Sequence, residues 1–248
     1  ISERLAQLTS EALSEDYIPV ILGGDHSAAI GSIAGAAQHA NRLGLIWLDR
    51  HPDANTPDTS PTGNIHGMTV AISMGYGYQE LVDCAGFHSK VLPEDICMIG
   101  VNDIDRDEEN FLKDLRVKIF TLMDVEKLGI VQVVDEALNI VSKNCDSVHL
   151  SFDIDVLDPL IAPGTGILSR GGLSYREISY LMRYFGANNV INSMDIIEVN
   201  PLLDVKNSTA ELAVELLLAA LGGSFGDYQR KYLQVQAFNN SSHNVFED

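Results

Sequence analysis

Six short apolar runs, alternating with stretches of helical periodicity, constrain what this chain can fold into. They read YIPVILGG (17–24), LGLIWLD (43–49), DICMIGV (95–101), RVKIF (116–120), SVHLSFD (147–153) and NVINSMDI (189–196). Runs this continuously apolar suit strands covered on both faces, the situation of a parallel sheet. Helical patterns occupy 2–14, 27–40, 105–115, 130–143, 174–186 and 208–223, and SYRE (Ser174–Glu177) and STAE (Ser208–Glu211) read as capping boxes that open the last two. The alternation predicts an α/β fold: one domain over 1–248, a three-layer αβα sandwich around a mostly parallel sheet. From about Gly226 the pattern gives way to polar residues, so 226–248 is expected to be an extended or frayed tail.

In such sheets ligands gather beyond the carboxyl ends of the strands. Three runs end in hard ligands: Asp25 and His26 after the first, Asp49, His51 and Asp53 after the second, Asp153 and Asp155 after the fifth. Side chains at i, i+2 and i+4 of an extended backbone project to one side, so each group can converge on one spot. Four carboxylates buried together cannot stay ionised without cations. The imidazoles of His26 and His51 complete a set of six ligands without sulfur, which favours Mn²⁺ or a similar hard ion over structural zinc. Four carboxylates also fit two ions, about 3.5–4 Å apart, better than one, and such a pair makes hydroxide available at neutral pH. A lone D-x-D is more often a turn, and Asp25 and Asp158-Pro159 are read that way. His39, His88, His149 and His243 lack carboxylate partners in the pattern and are assigned to surface or core. Three clusters coinciding at strand ends carry the metal reading.

Composition narrows the partners. With 35 acidic against 16 basic residues and a net charge of -19, the chain would repel a phosphate backbone, so nucleic acid is not an expected partner. The three cysteines, Cys84, Cys97 and Cys145, form no C-x-x-C pair. That argues against a disulfide framework or thiolate zinc site and for a reducing, cytoplasmic compartment. No apolar window approaches the roughly 18 residues of a membrane span, and no signal peptide is visible. The triplet Asn207-Ser208-Thr209 is therefore read as accidental. Position 1 is Ile, so the true N-terminus is expected to be missing.

GGDHS (23–27), D-x-H-x-D (49–53), SFDIDVLDP (151–159) and DIIEVNP (195–201) resemble, in order, the four signatures of the ureohydrolase family of arginases, agmatinases and formiminoglutamases. The resemblance runs from about residue 18 to 222 and is nearest to the arginase branch. It implies the αβα fold, without the family's N-terminal strand–helix segment. It implies that His26, Asp49, Asp53 and Asp153 hold one Mn²⁺, and that His51, Asp49, Asp153 and Asp155 hold the other, with Asp49 and Asp153 bridging. A metal-bridging hydroxide would attack a guanidinium carbon, Asp53 would orient it, and His66 in GNIHG would shuttle protons, a task suited to an imidazole. Glu198 would bind the substrate guanidinium, for which a carboxylate is a bidentate match.

The loop NTPDTSPTGNIHG (55–67) looks like the one with which arginases grip the amino-acid head of the substrate. Asn55, Ser60 and Thr62 would then meet the α-carboxylate, and Asn64, Asp105 and Glu108 the α-amino group. A site satisfying both groups discriminates against a substrate lacking one. The expectation is hydrolysis of L-arginine to L-ornithine and urea by a homotrimer or hexamer. The alternatives are a sister hydrolase acting on agmatine or another guanidino or formimino compound, and a metal-binding homologue without activity. Three departures from the family pattern stand out: Arg50 stands where a small residue is usual, Ile167 replaces a threonine, and Ser60 and Thr62 exchange hydroxyl types.

Overall fold

The computed structural model describes residues 1–223, so the expected tail and His243 lie outside it. All six predicted strands form: β1 (Val20–Leu22), β2 (Leu43–Leu48), β3 (Ile96–Val101), β4 (Lys118–Thr121), β5 (Ser147–Asp153) and β6 (Ser193–Ile197). They make one sheet in the order β1-β6-β5-β2-β3-β4, every neighbouring pair parallel. β2, β3, β5 and β6 are buried along their whole length, as apolar runs must be when helices cover both faces. β1 lies at an edge, and its Leu22 is 73% exposed.

Among the described residues the six predicted helices form as α1 (Ser2–Ser14), α2 (Ala29–His39), α5 (Arg106–Leu115), α7 (Ile130–Ser142), α8 (Tyr175–Asn188) and α9 (Ser208–Ala220). Three short helices were not anticipated: α3 (Thr69–Ser73), α4 (Gln79–Val82) and α6 (Leu122–Leu128). Valines, leucines and phenylalanines on α7, α8 and α9 pack against Ile46, Leu48, Val148, Leu150, Phe152, Met194 and Ile196 on one sheet face. On the other, α2, α3 and α5 cover Leu43, Leu45, Trp47, Ile96 and Met98, and α1 packs outside α2. The result is the three-layer αβα arrangement.

The box at Ser174 is realised: Glu177 accepts from the Ser174 backbone N–H at 2.7 Å, and Ser174 Oγ caps α8 in return. The box at Ser208 is not. Ser208 is already inside α9, behind Asn207 at φ +62. Asp204 caps instead, accepting from the backbone of Thr209 at 3.0 Å and Ala210 at 3.1 Å. A carboxylate reaching in from the preceding turn satisfies two orphan N–H groups that the Ser208 hydroxyl cannot face.

From β2 the chain lays β3 and β4 outward on one side, then returns to lay β5 and β6 on the other. The junction of β2 with β5 is thus where the winding reverses, and a crevice opens there at the carboxyl ends. Leu48 pairs with Phe152 in parallel register, so the next residues, Asp49 and Asp153, emerge side by side.

Candidate metal centre and substrate cleft

Asp49 and Asp153 turn the same way. In each, Oδ1 accepts the backbone N–H two residues on: His51 at 2.7 Å, Asp155 at 2.8 Å. This Asx turn ends the strand and sends the i+2 side chain back beside the first. His26 is delivered from the opposite edge. Gly23 lets the loop after β1 lie against β6, where a Cβ would meet Ile197 at 2.6 Å, and Asp25 caps the turn by accepting from Ser27 N–H at 3.0 Å. His26 Nδ1 then lies 3.0 Å from Asp49 Oδ2, 3.1 Å from Asp153 Oδ2 and 3.2 Å from Asp53 Oδ2. His51 Nδ1 lies 3.2 Å from Asp155 Oδ2 and 3.4 Å from Asp49 Oδ1. All six predicted ligands therefore meet. Donor atoms of His26, Asp49 and Asp153 fall within 4.8 Å of one another, as do those of Asp49, His51 and Asp155, so Asp49 belongs to both groups. Trp47 braces the pair: its ring stacks on His26 at 4.1 Å and 5°, and its Nε1 donates to the His51 carbonyl at 3.1 Å.

The electrostatics explain what such a cluster needs. Burial, with Asp49 and Asp155 alongside, pushes Asp153 far above the usual carboxylate range, and burial with Asp49 also raises Asp53. Burial opposes charge on both imidazoles, yet the carboxylates facing them win: Asp153, Asp49 and Asp53 raise His26, and Asp155 with Asp49 lift His51 to about 11. His26 Nδ1, Asp49 Oδ2 and Asp155 Oδ1 are buried without a hydrogen-bond partner. Buried polar atoms are normally partnered, and leaving one unsatisfied costs about 1–3 kcal/mol. Orphaned donor atoms converging from three strand ends, with no sulfur among them, fit hard divalent cations. Asp53 at φ +48 and Glu198 at φ +64 hold the left-handed backbone conformation that non-glycine residues avoid, a strain that collects at functional sites.

A cleft of about 660 Å³ opens above the cluster. His51, Asp53, Asp153 and Asp155 line its base, while His26 and Asp49 are buried beneath. His66 and Glu198 line it too; Glu198 Oε1 accepts from His26 N–H at 2.8 Å, and burial raises its pKa. Asn55, Ser60, Thr62, Asn64, Asp105 and Glu108 all line the same cleft. Asn55 donates to Asp105 at 3.1 Å, and Glu108 accepts from Ala54 N–H at 2.7 Å. Burial, with Asp53 adding repulsion, lifts Glu108 to about 7.

Arg50 points away from the His and Asp cluster, as strand alternation requires. It donates to Asp103 at 2.7 Å and to the carbonyls of Arg170 and Gly171, tying together the ends of β2, β3 and the 170–171 loop. Ile167 lines the cleft at 46% exposure. His39 and His88 lie at the surface and His149 in the core, and all three cysteines are free. No helix of the described residues is long and apolar enough to cross a membrane.

The sequence profile of the arginase family matches residues 1–222. The chain belongs to the arginase family. It is 45% identical to the arginase of Bacillus subtilis over 89% of this chain and 74% of that one, and 44% identical to the arginase of Staphylococcus aureus over 92% and 74%. The crystal structure of Bacillus subtilis arginase superposes with a TM-score of 0.88 at 44% identity, covering 90% of this chain and 79% of that chain. Formimidoylglutamase of the same organism follows at a TM-score of 0.76 and 28% identity, over 89% and 65%.

Within this arginase-family chain, two features of the site escaped the sequence reading. Thr165 lines the cleft with a buried, unpartnered hydroxyl, but in APGTGIL it looks like any turn residue. Ser32, His149, Ser151, Ser193 and Asp195 form a buried polar cluster behind His26. Their signal is polar residues at every second position of SVHLSFD, continued by Ser193 and Asp195 in β6.

Proposed function

We propose that this chain hydrolyses L-arginine to L-ornithine and urea with two Mn²⁺ ions that His26, Asp49, His51, Asp53, Asp153 and Asp155 would hold, Asp49 and Asp153 as shared ligands. The observation that carries the reading is a cluster of orphaned His and Asp donors under a cleft that also presents carboxylates suited to both ends of an arginine. When bound, such a pair of ions supplies a hydroxide at neutral pH and polarises the group it attacks. The chain's own residues do the rest. Glu198, raised in pKa by burial, gains most by pairing its carboxylate with a guanidinium, and its strained backbone fixes the angle of approach. Asp53 orients the nucleophile from the base of the cleft. His66, half-buried on the wall, carries the proton to the departing amine as the C–N bond breaks. Asn55, Ser60 and Thr62 present neutral donors to the α-carboxylate, while Asn64, Asp105 and Glu108 face the α-ammonium.

The test is urea release by Mn²⁺-loaded protein from arginine, agmatine and a panel of guanidino and formimino compounds. Arginine is expected to be hydrolysed far faster than agmatine, because a polar site left unpaired by a missing group discriminates by about 10⁴–10⁵-fold. No urea from arginine overturns the reading, and activity confined to another compound of the panel transfers it to a sister hydrolase. The free cysteines suit the cytoplasm as the setting. The assembly is proposed as a homotrimer or hexamer, and light scattering measures it.

A further inference from the structure

A chain of buried polar side chains runs behind His26, on the sheet face beneath α2. His26 Nε2 lies 2.9 Å from Ser151 Oγ, and Ser151 donates to Asp195 Oδ1 at 2.6 Å. The other oxygen of Asp195 accepts from Ser32 Oγ at 2.6 Å and meets His149 Nε2 at 2.9 Å. His149 Nδ1 in turn lies 2.8 Å from Ser193 Oγ. His26 is 1% exposed and the other five are wholly buried.

The direction of these bonds is fixed by chemistry. Burial would raise the Asp195 pKa, but bonds from His149 and Ser151 hold it below the usual carboxylate range. An ionised carboxylate can only accept, and a serine hydroxyl has one proton to give. Ser151 gives that proton to Asp195, so its oxygen must accept from His26. His26 therefore carries a proton on Nε2, so the nitrogen left for a cation is Nδ1, which faces Asp49, Asp53 and Asp153. Ser32 and His149 hold the remaining oxygen of Asp195.

We propose that Asp195 is a positioning residue that orders the chain His26–Ser151–Asp195 and thereby fixes the one His26 tautomer able to hold a divalent cation at Nδ1. The proposal rests on the metal reading above and adds to it a determinant two hydrogen bonds away from the ion. Histidine ligands generally owe tautomer and orientation to the partner of their second nitrogen, and removing that partner typically weakens metal affinity 10–100-fold. Here the partner is a serine, which can face either way, and Asp195 decides which.

The experiment is Mn²⁺ equilibrium dialysis of the 248-residue protein and its variants, with thermal unfolding measured with and without Mn²⁺. Asp195→Asn keeps the shape but offers an NH₂ where only acceptors stood, so Ser151 can turn and donate to His26. One of the two sites is expected to weaken about 10–100-fold while the other keeps its affinity, and the Mn²⁺-induced rise in Tm should shrink accordingly. Ser151→Ala should weaken the same site, and it carries the test alone if Asp195→Asn does not fold. Ser193→Ala, which leaves the ordered chain intact, should bind both ions as wild type does. Two wild-type affinities in Asp195→Asn, or in Ser151→Ala, overturn the proposal. So does equal weakening of both sites, or a Ser193→Ala loss as large as that of Asp195→Asn. Wild-type protein that binds no Mn²⁺ instead overturns the metal reading, before any variant is compared.

Discussion

On β5, Val148, Leu150 and Phe152 face α7, α8 and α9, whereas His149, Ser151 and Asp153 project toward α2 and the loop that carries His26. β6 repeats the division, with Met194 and Ile196 on the apolar side and Ser193 and Asp195 on the polar one. Both faces are equally dry, so burial alone does not distinguish them. The first face is held by the transfer of apolar surface from water, roughly 1.5–3 kcal/mol for each large side chain, and many shapes can supply it. The second is held by hydrogen bonds that tolerate few alternatives, because each unpaired partner is penalised. One face therefore sets how stable the sheet is, and the other what its carboxyl end can bind.

Substitutions should separate the two faces. Asp153→Ala removes a proposed ligand from the polar side and is expected to lose both metals and reduce urea release to background. Two Mn²⁺ retained per chain, by metal analysis, would contradict the bridging role. His66→Ala should keep both ions yet slow turnover by about 10²–10⁴-fold, the usual contribution of a general acid–base. A wild-type kcat would remove His66 from the proton path. Phe152→Ala, one residue from Asp153 but on the other face, should cost about 3–5 kcal/mol of stability with metal content unchanged, read by denaturant unfolding beside a metal count. Metal loss in this variant would show that the faces are not separable.

Glu108 offers a pH test. Burial lifts it to about 7, so it is neutral below that pH and negative above it. Attraction for the α-ammonium should appear as pH rises through about 7, lowering KM for arginine, and Glu108→Gln should abolish this step in the profile. The smallest effect is expected from Trp47→Phe, which keeps the ring on His26 but deletes the donor to the His51 carbonyl. Loss of one such bond should cost about 0.5–1.5 kcal/mol in unfolding experiments, with metal stoichiometry unchanged.

What the sequence revealed follows the same division. The apolar runs announced the strands, and the clustered ligands at their ends announced the centre, because period-two spacing survives translation into geometry. Boundaries fared less well. Arg116, predicted to begin a strand, instead closes α5 at φ +61, and α8 runs to Asn188 before Asn189 ends it in a left-handed turn. Both depend on a single backbone conformation that composition does not display. α6 was missed because its Thr121–Asp124 capping box directly abuts β4. His149 and Asp195 were passed over for a different reason. Each belongs to a period-two polar pattern that does not name its partner, and only the pairing of β5 with β6, His149 beside Ser193 and Ser151 beside Asp195, joins them into a network.

The parallel register that sets Asp49 beside Asp153 has an evolutionary corollary. Adjacent strands are held about 4.7–4.9 Å apart by backbone bonding, whatever side chains they bear. The spacing of Asp49 and Asp153 is thus inherited from the ladder, leaving the 55–67 segment free to be rewritten. New specificities can arise by editing that rim while the engine below keeps its dimensions.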